Sequence, residues 1–207
     1  MTVTQHGNGT ARARPRRDSV RNRRRLLDAA GDVLRTQPLE ASMPLIAQKA
    51  ELSVATAYRY FSTLDELHNA YMHQVGLTLR NYSDDSPRTG MALFEDVAGE
   101  WARLLRTYGT AMIQVRSRRG FIERLRAGDM VITTICTAWE RPIRQVMREL
   151  QVPEDQFEYA LSLYNALYDP REILDLMESG LSEEQVLKRL SSAYFGALRG
   201  WSAATKP

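Results

Sequence analysis

Cysteine is almost missing from this chain. Cys136 is the only one in 207 residues, so no disulfide can form within it. Its neighbours, VITTICTAW, make it a small buried apolar residue rather than a reactive thiol. Histidine is nearly as scarce. His6, His68 and His73 match no metal-ligand spacing, and the five-residue gap between the last two does not put them on one helix face. No metal and no cofactor are assigned. No apolar run reaches the ~18 residues of a membrane span, so no membrane partner is expected. The first 25 residues lack the apolar middle of a signal peptide, and a cytoplasmic location is expected. Signatures of catalysis are missing too: there is no glycine-rich phosphate loop, no nucleophile elbow and no cysteine–histidine constellation. The carboxylate pairs Glu95/Asp96 and Glu183/Glu184 are adjacent in sequence, so they point to different sides of a helix. An enzyme is not expected.

Charge is present but unevenly placed. Residues 1–25 hold eight arginines and a single acid, Asp18, while the remainder holds 20 basic and 24 acidic residues. A basic head on a mildly acidic body suits contact with a polyanion; the alternative is a solvated tail. The choice of arginine favours contact, because its planar fork matches phosphate and narrow minor grooves. Residues 1–19 have no apolar period and are expected to form a disordered basic arm, with Arg14, Arg16 and Arg17 reaching DNA.

Strand signals are lacking throughout, and the chain reads as all-α. From about Arg21, Leu26, Leu27, Ala30, Val33 and Leu34 recur at helical spacing, and Pro38 closes this helix. Ser42 stands as an N-cap with Pro44 in the first turn of a short helix, about 43–50. Glu51-Leu52 makes a tight turn, and Ser53 caps a third helix, about 54–61. A fourth runs from Leu64 to about Tyr82. The polar segment SDDSPRTG, residues 83–90, is read as the domain border. The domains are then a helix-turn-helix DNA-binding domain, 20–83, and a larger helical bundle for effector binding and dimerisation, 91–207. Within the latter, Ser182 followed by Gln185 is a capping box that starts the last helix.

The second and third helices have the pattern of a helix-turn-helix. Ile46, Ala47, Ala50, Leu52 and Ala57 form the inner side, with Ala47 small where two helices cross. The outer side of the third helix carries Ser53, Ala55, Thr56, Arg59 and Tyr60, with Tyr58 beside them in sequence. In this motif the second helix enters the major groove and its N-terminal residues meet base edges. Arg59 can give two hydrogen bonds to guanine, worth about 1–3 kcal/mol of discrimination. Ala55 suits a thymine methyl. Ser53 and Thr56 suit phosphate or a base edge, and the two tyrosine hydroxyls suit phosphates. Core packing is the competing reading of the tyrosines.

In this arrangement ASMPLIAQKAELSVATAYRYFSTLDEL resembles the TetR family of bacterial transcriptional repressors. The matching features are the capping Ser42, Ile46-Ala47, and Tyr58-Arg59-Tyr60-Phe61, within residues 21–72. Three positions depart. Glu51 stands where the family has glycine, Leu64 where it has a phosphate-binding lysine, and Pro44 where some members place a base-contacting side chain. The resemblance implies a homodimer on a near-palindromic double-stranded DNA operator, its recognition helices about 34–36 Å apart. It also implies a small-molecule effector held by the middle helices. Candidates for that lining are Trp101, Tyr108, Met112, Ile135, Trp139, Tyr164 and Tyr168, each of which an ordinary core would also explain.

For the dimer seam the last helix offers Leu190, Tyr194, Ala197, Leu198 and Trp201, joined by Tyr164; an internal core face is the alternative. The expected function is a ligand-responsive repressor released from DNA by its effector. A nonspecific DNA-binding or adaptor protein built on the arginine arm is the alternative.

Overall fold

The structure, a computed structural model, describes residues 13–114 and 120–204. Its helices are α1 (Ala13–Thr36), α2 (Met43–Lys49), α3 (Val54–Tyr60), α4 (Leu64–Asp85), α5 (Gly90–Gln114), α6 (Phe121–Arg126), α7 (Met130–Glu149), α8 (Phe157–Leu167), α9 (Pro170–Glu178) and α10 (Glu183–Ala204). The described residues contain no strand, and none of their helices is long and apolar enough to cross a membrane. The all-α expectation holds.

The chain divides into two compact units at 68/69, inside α4. The polar 83–90 segment is therefore not the border, because it is built into the second unit. Arg141 on α7 donates to the carbonyl oxygens of Ser83, Asp84, Ser86 and Arg88 at 2.5, 3.4, 3.1 and 3.2 Å. Ser86 Oγ donates to Asp96 at 2.6 Å. Gly90 adopts φ +59°, and a Cβ there would fall 1.6 Å from Glu149 Oε1. A sequence of prolines, glycines and acids reads as a linker, but one guanidinium supplies the donors that its carbonyls need.

In the first unit α2 packs on both α1 and α3. Its core is Leu26, Leu27, Ala30, Val33, Leu34, Ile46, Ala47, Ala57, Phe61 and Leu67. α1 starts at Ala13 rather than near Arg21, so residues 13–19 are helical and not part of a disordered arm. Arginine and alanine are good helix formers, and Pro15 falls in the first turn, where its missing N–H costs nothing. Residues 1–12 lie outside the described residues. From Arg17 to Arg25 nothing on α1 is fully buried; burial begins at Leu26.

The second unit is organised around an aromatic core. The Phe94 ring lies 5.1 Å from Trp139, 5.6 Å from Tyr168 and 4.8 Å from Tyr194, centroid to centroid. Tyr168 Oη and Ser191 Oγ share a hydrogen bond of 2.9 Å, and Tyr194 Oη donates to the Ala160 carbonyl at 3.0 Å. Cys136 is buried, and burial pushes its thiol up to about 12, so it stays protonated and inert. The Ser182–Gln185 capping box forms as expected, with bonds of 2.9 and 3.2 Å.

Two predictions follow from these contacts. Replacing Arg141 by Met leaves the 83–88 carbonyls without donors and should destabilise by about 2–4 kcal/mol in urea denaturation; a loss below 1 kcal/mol would show that the clamp contributes little. His68 is buried with no partner for Nε2 among the described residues, and desolvation, partly offset by Asp65, holds its imidazole below the ordinary value. The unfolded chain then takes up the proton first, so stability falls as pH drops through about 6.5 and levels off below the folded pKa. The His68→Gln variant should have a flatter stability profile between pH 7 and 5.5 than the parent.

Candidate nucleic-acid interface and ligand cavity

The turn between α2 and α3 sets the geometry of the first unit. Leu52 N–H donates to the Ala47 carbonyl and Glu51 N–H to that of Gln48, both at 2.9 Å. This pair of bonds is the Schellman stop, which needs a left-handed residue after the cap. Glu51 fills that place with φ 53°, where glycine would be unstrained. Its carboxylate pairs with the Arg25 guanidinium of α1, so the strained residue also anchors the turn.

Ser42 occupies the N-cap of α2, and its carbonyl accepts from Ile46 N–H at 3.0 Å, but its hydroxyl makes no capping bond. Pro44 removes one of the N–H groups it would take. Ser53 does cap α3: its Oγ accepts from Thr56 N–H at 3.1 Å and donates to Thr56 Oγ1 at 2.8 Å. That arrangement leaves the Thr56 O–H as the donor pointing onward, suited to a phosphate or a base acceptor. Beyond it Ala55, Tyr58 and Arg59 are exposed.

Tyr60 is only half-buried and is tied inward. The polar side chain of Ser19 beside its hydroxyl, then those of Asn22 and Arg59, draw its phenol below the ordinary value against desolvation. The Arg59 guanidinium lies 5.5 Å from its ring. Tyr58 and Tyr60, read alike from sequence, therefore differ: one is exposed and the other half-buried. Below them Arg23 sits over the buried Phe61 ring at 5.0 Å. The α3–α4 corner is fixed by Glu66, which accepts from Ser62 N–H and Oγ at 2.7 Å each, while its own N–H donates to Thr63 Oγ1 at 3.0 Å. Arg17 is exposed at the start of α1; Arg14 and Arg16 lie on the same helix, with side chains outside the described residues.

The second unit holds a cavity of about 140 Å³. Five of the seven expected lining residues face it: Trp101, Met112, Ile135, Tyr164 and Tyr168. The other two do not. Trp139 is wholly buried, its ring 4.1 Å from that of Tyr164. Tyr108 packs edge-on against Tyr71 at 5.9 Å. The sequence reading missed the polar part of the lining, namely Asn69, Arg124, Asn165 and Asp169. Asn165 was detectable as the one carboxamide in FEYALSLYNALY, an otherwise apolar helix. Of the residues expected at a dimer seam, Tyr164, Tyr194 and Leu198 are buried in the chain's own core, while Leu190, Ala197 and Trp201 are half-buried.

A helix-turn-helix that presents polar side chains from its second helix has the layout of a DNA-binding motif. Residues 26–71 match the family of bacterial regulatory proteins, tetR family. The first unit thus carries a TetR-family DNA-binding domain, and the chain has the fold of TetR-family transcriptional regulators. A tetR-family transcriptional regulator from Streptomyces coelicolor is 20% identical, with 89% of this chain and 85% of that chain covered and a TM-score of 0.63. The TetR-like regulator LfrR from Mycobacterium smegmatis, solved in complex with proflavine, is 18% identical over 86% and 96% of the two chains, with a TM-score of 0.54. A TetR-like transcriptional regulator from Rhodococcus sp. RHA1 is 21% identical over 89% and 97%, with a TM-score of 0.52. No curated protein matches the chain.

The left-handed turn yields a direct test. Glu51→Gly should be more stable than Glu51→Ala by about 1 kcal/mol, the reverse of their order inside a helix. Chemical denaturation of the two variants checks it, and the opposite order would remove the strain.

Proposed function

We propose that this protein is a ligand-responsive transcriptional repressor. It binds a near-palindromic operator as a homodimer and leaves it when a small molecule fills the cavity of the second unit. One observation carries the reading: Asn69 and Met72 of α4 line the cavity, and the same helix begins inside the DNA-binding unit at Leu64. A ligand touching α4 therefore touches an element that both units share. Such a ligand shifts the population between two dispositions of that helix by its differential affinity for them. LfrR, with the same fold, was solved with proflavine, which supports a small molecule as the effector class.

The homodimer rests on the outer faces of α8 and α10. Tyr159 is 63% exposed, and Ala193, Gly196 and Gly200 are exposed small residues that allow close helix approach. Leu190, Ala197 and Trp201 border them. Tyr164, Tyr194 and Leu198 act from behind as core supports.

DNA is read by Arg59, Thr56 and Ala55 on base edges, with Tyr58, Ser42 and Ser53 on phosphates. Arg14, Arg16 and Arg17 add charge along the start of α1. A second reading draws on that same exposed basic helix: binding with steep salt dependence and little sequence preference.

Selection of bound duplexes from a random pool separates the two. The repressor reading expects a palindrome with half-sites about one helical turn apart; failure to enrich any sequence would leave the nonspecific reading. On the selected duplex, Arg59→Ala should cost about 1–3 kcal/mol and relax one position of the half-site. Equal losses on selected and random DNA would remove Arg59 from base readout.

A further inference from the structure

The cavity in the second unit presents charges that are already matched. Arg124 donates through Nε and Nη2 to Asp129 Oδ2 at 3.1 and 3.0 Å, and its side chain is 14% exposed. Asp129 is fixed in turn as the N-cap of α7, accepting from Val131 and Ile132 N–H at 3.0 and 3.1 Å. Asp169 accepts from Arg171 N–H at 3.0 Å and lies 3.6 Å from the Arg171 guanidinium. Among the described residues of the lining, a charged guest would meet no bare counter-charge, and its desolvation would go uncompensated unless it broke one of these pairs.

The carboxamides behave differently. Asn69 and Asn165 both face the cavity, and neither side chain is hydrogen-bonded to another described residue. A carboxamide offers a donor and an acceptor side by side, and it is best met by a group offering the same pair in reverse. The remaining walls are flat and apolar: Trp101, Phe121, Tyr164 and Tyr168 supply rings. Trp101 Nε1 does not serve the guest, since it donates to the Tyr168 carbonyl at 3.2 Å. The volume, about 140 Å³, is near the ~150 Å³ of cavities that admit benzene and below that of drug-sized sites.

We infer that the cavity takes an uncharged, flat molecule of one or two rings with a lactam-type edge, held by the free carboxamides of Asn69 and Asn165. This rests on the reading of the cavity as the effector site and narrows it to one ligand class. The paired charges act as selectivity elements. Paired in this way, they offer an ion nothing to bind.

The test uses the full chain and four probes of similar shape: quinolin-2-one, naphthalene, quinoline-2-carboxylate and N-methylquinolinium. Affinity is measured by calorimetric titration, and release of the selected duplex is followed for each probe. Quinolin-2-one should bind at least about tenfold tighter than the other three. Asn165→Leu should erase its advantage over naphthalene while naphthalene still binds, which also shows that the variant is folded. Asp129→Asn keeps an N-cap acceptor and uncovers Arg124. It should raise affinity for quinoline-2-carboxylate about tenfold and leave N-methylquinolinium unchanged.

Either ion matching quinolin-2-one on the parent protein overturns the inference, as does binding of none of the four. An ion that binds and releases the duplex removes the uncharged class but keeps the effector reading. A lactam that binds without releasing the duplex keeps the class and removes the effector reading.

Discussion

The DNA-facing surface depends on burial that it does not itself contain. α2 and α3 are seven residues each, and isolated helices shorter than ~12–15 residues are marginal in water. They persist because Ile46, Ala47 and Ala57 are wholly buried in the same core as Leu26, Ala30 and Leu34 of α1. The two alanines matter for their size, since larger side chains would push the helix axes apart. Close packing fixes the separation of α2 and α3, and the Schellman turn at Glu51 fixes their angle. Arg59 and Thr56 then reach outward from a platform whose position is set from beneath. A non-glycine residue stands at the left-handed position, and the Arg25 partner gives it a use that glycine would lack.

A related constraint governs the cavity. Its aromatic walls are supported from behind by the core: Tyr164 packs at a tilt against Trp139, and Tyr168 packs edge-on to Phe94 and is hydrogen-bonded to Ser191. Burial pushes both phenols above their ordinary values, so each remains neutral, and Ser191 holds the Tyr168 hydroxyl. Walls held in this way lose little conformational freedom when a guest arrives. The cavity exists where the aromatic layer ends and shorter or more polar side chains follow.

Much of this was legible in the sequence, for reasons that differ by element. Helices α2 and α3 were readable because Ser53, Pro44 and the Glu51-Leu52 turn are local signals and the apolar spacing is regular. The capping box at Ser182 was readable for the same reason. The start of α1 was not, because arginine-rich composition imitates a disordered tail, although alanine and arginine are good helix formers. The 83–90 segment was misread as a border because its anchor, Arg141, lies more than fifty positions away in sequence. In the cavity the apolar positions followed helical period, so Trp101, Met112 and Ile135 were found. Trp139 and Tyr108 share that period, and only packing decides which side of a wall a ring takes. Asn69, Arg124 and Asp169 come from three elements that only the tertiary structure brings together.

The arginines near the chain start show how one residue type is divided between holding and reaching. Arg23 lies over the Phe61 ring and Arg25 pairs with Glu51, so both are committed to the frame of the first unit. Arg21 and Arg24 have only exposed partners, Asp18 at 3.2 Å and Asp28 at 3.9 Å. Pairs of that kind contribute little, so a phosphate displaces such a carboxylate at small cost. Because α1 continues as a helix to Ala13, its arginines occupy fixed angular positions around an axis. A disordered arm would spread its charge over many conformations and pay to order each one on DNA. A helix carries the same charge already arranged, so that a larger share of the electrostatic attraction appears as affinity.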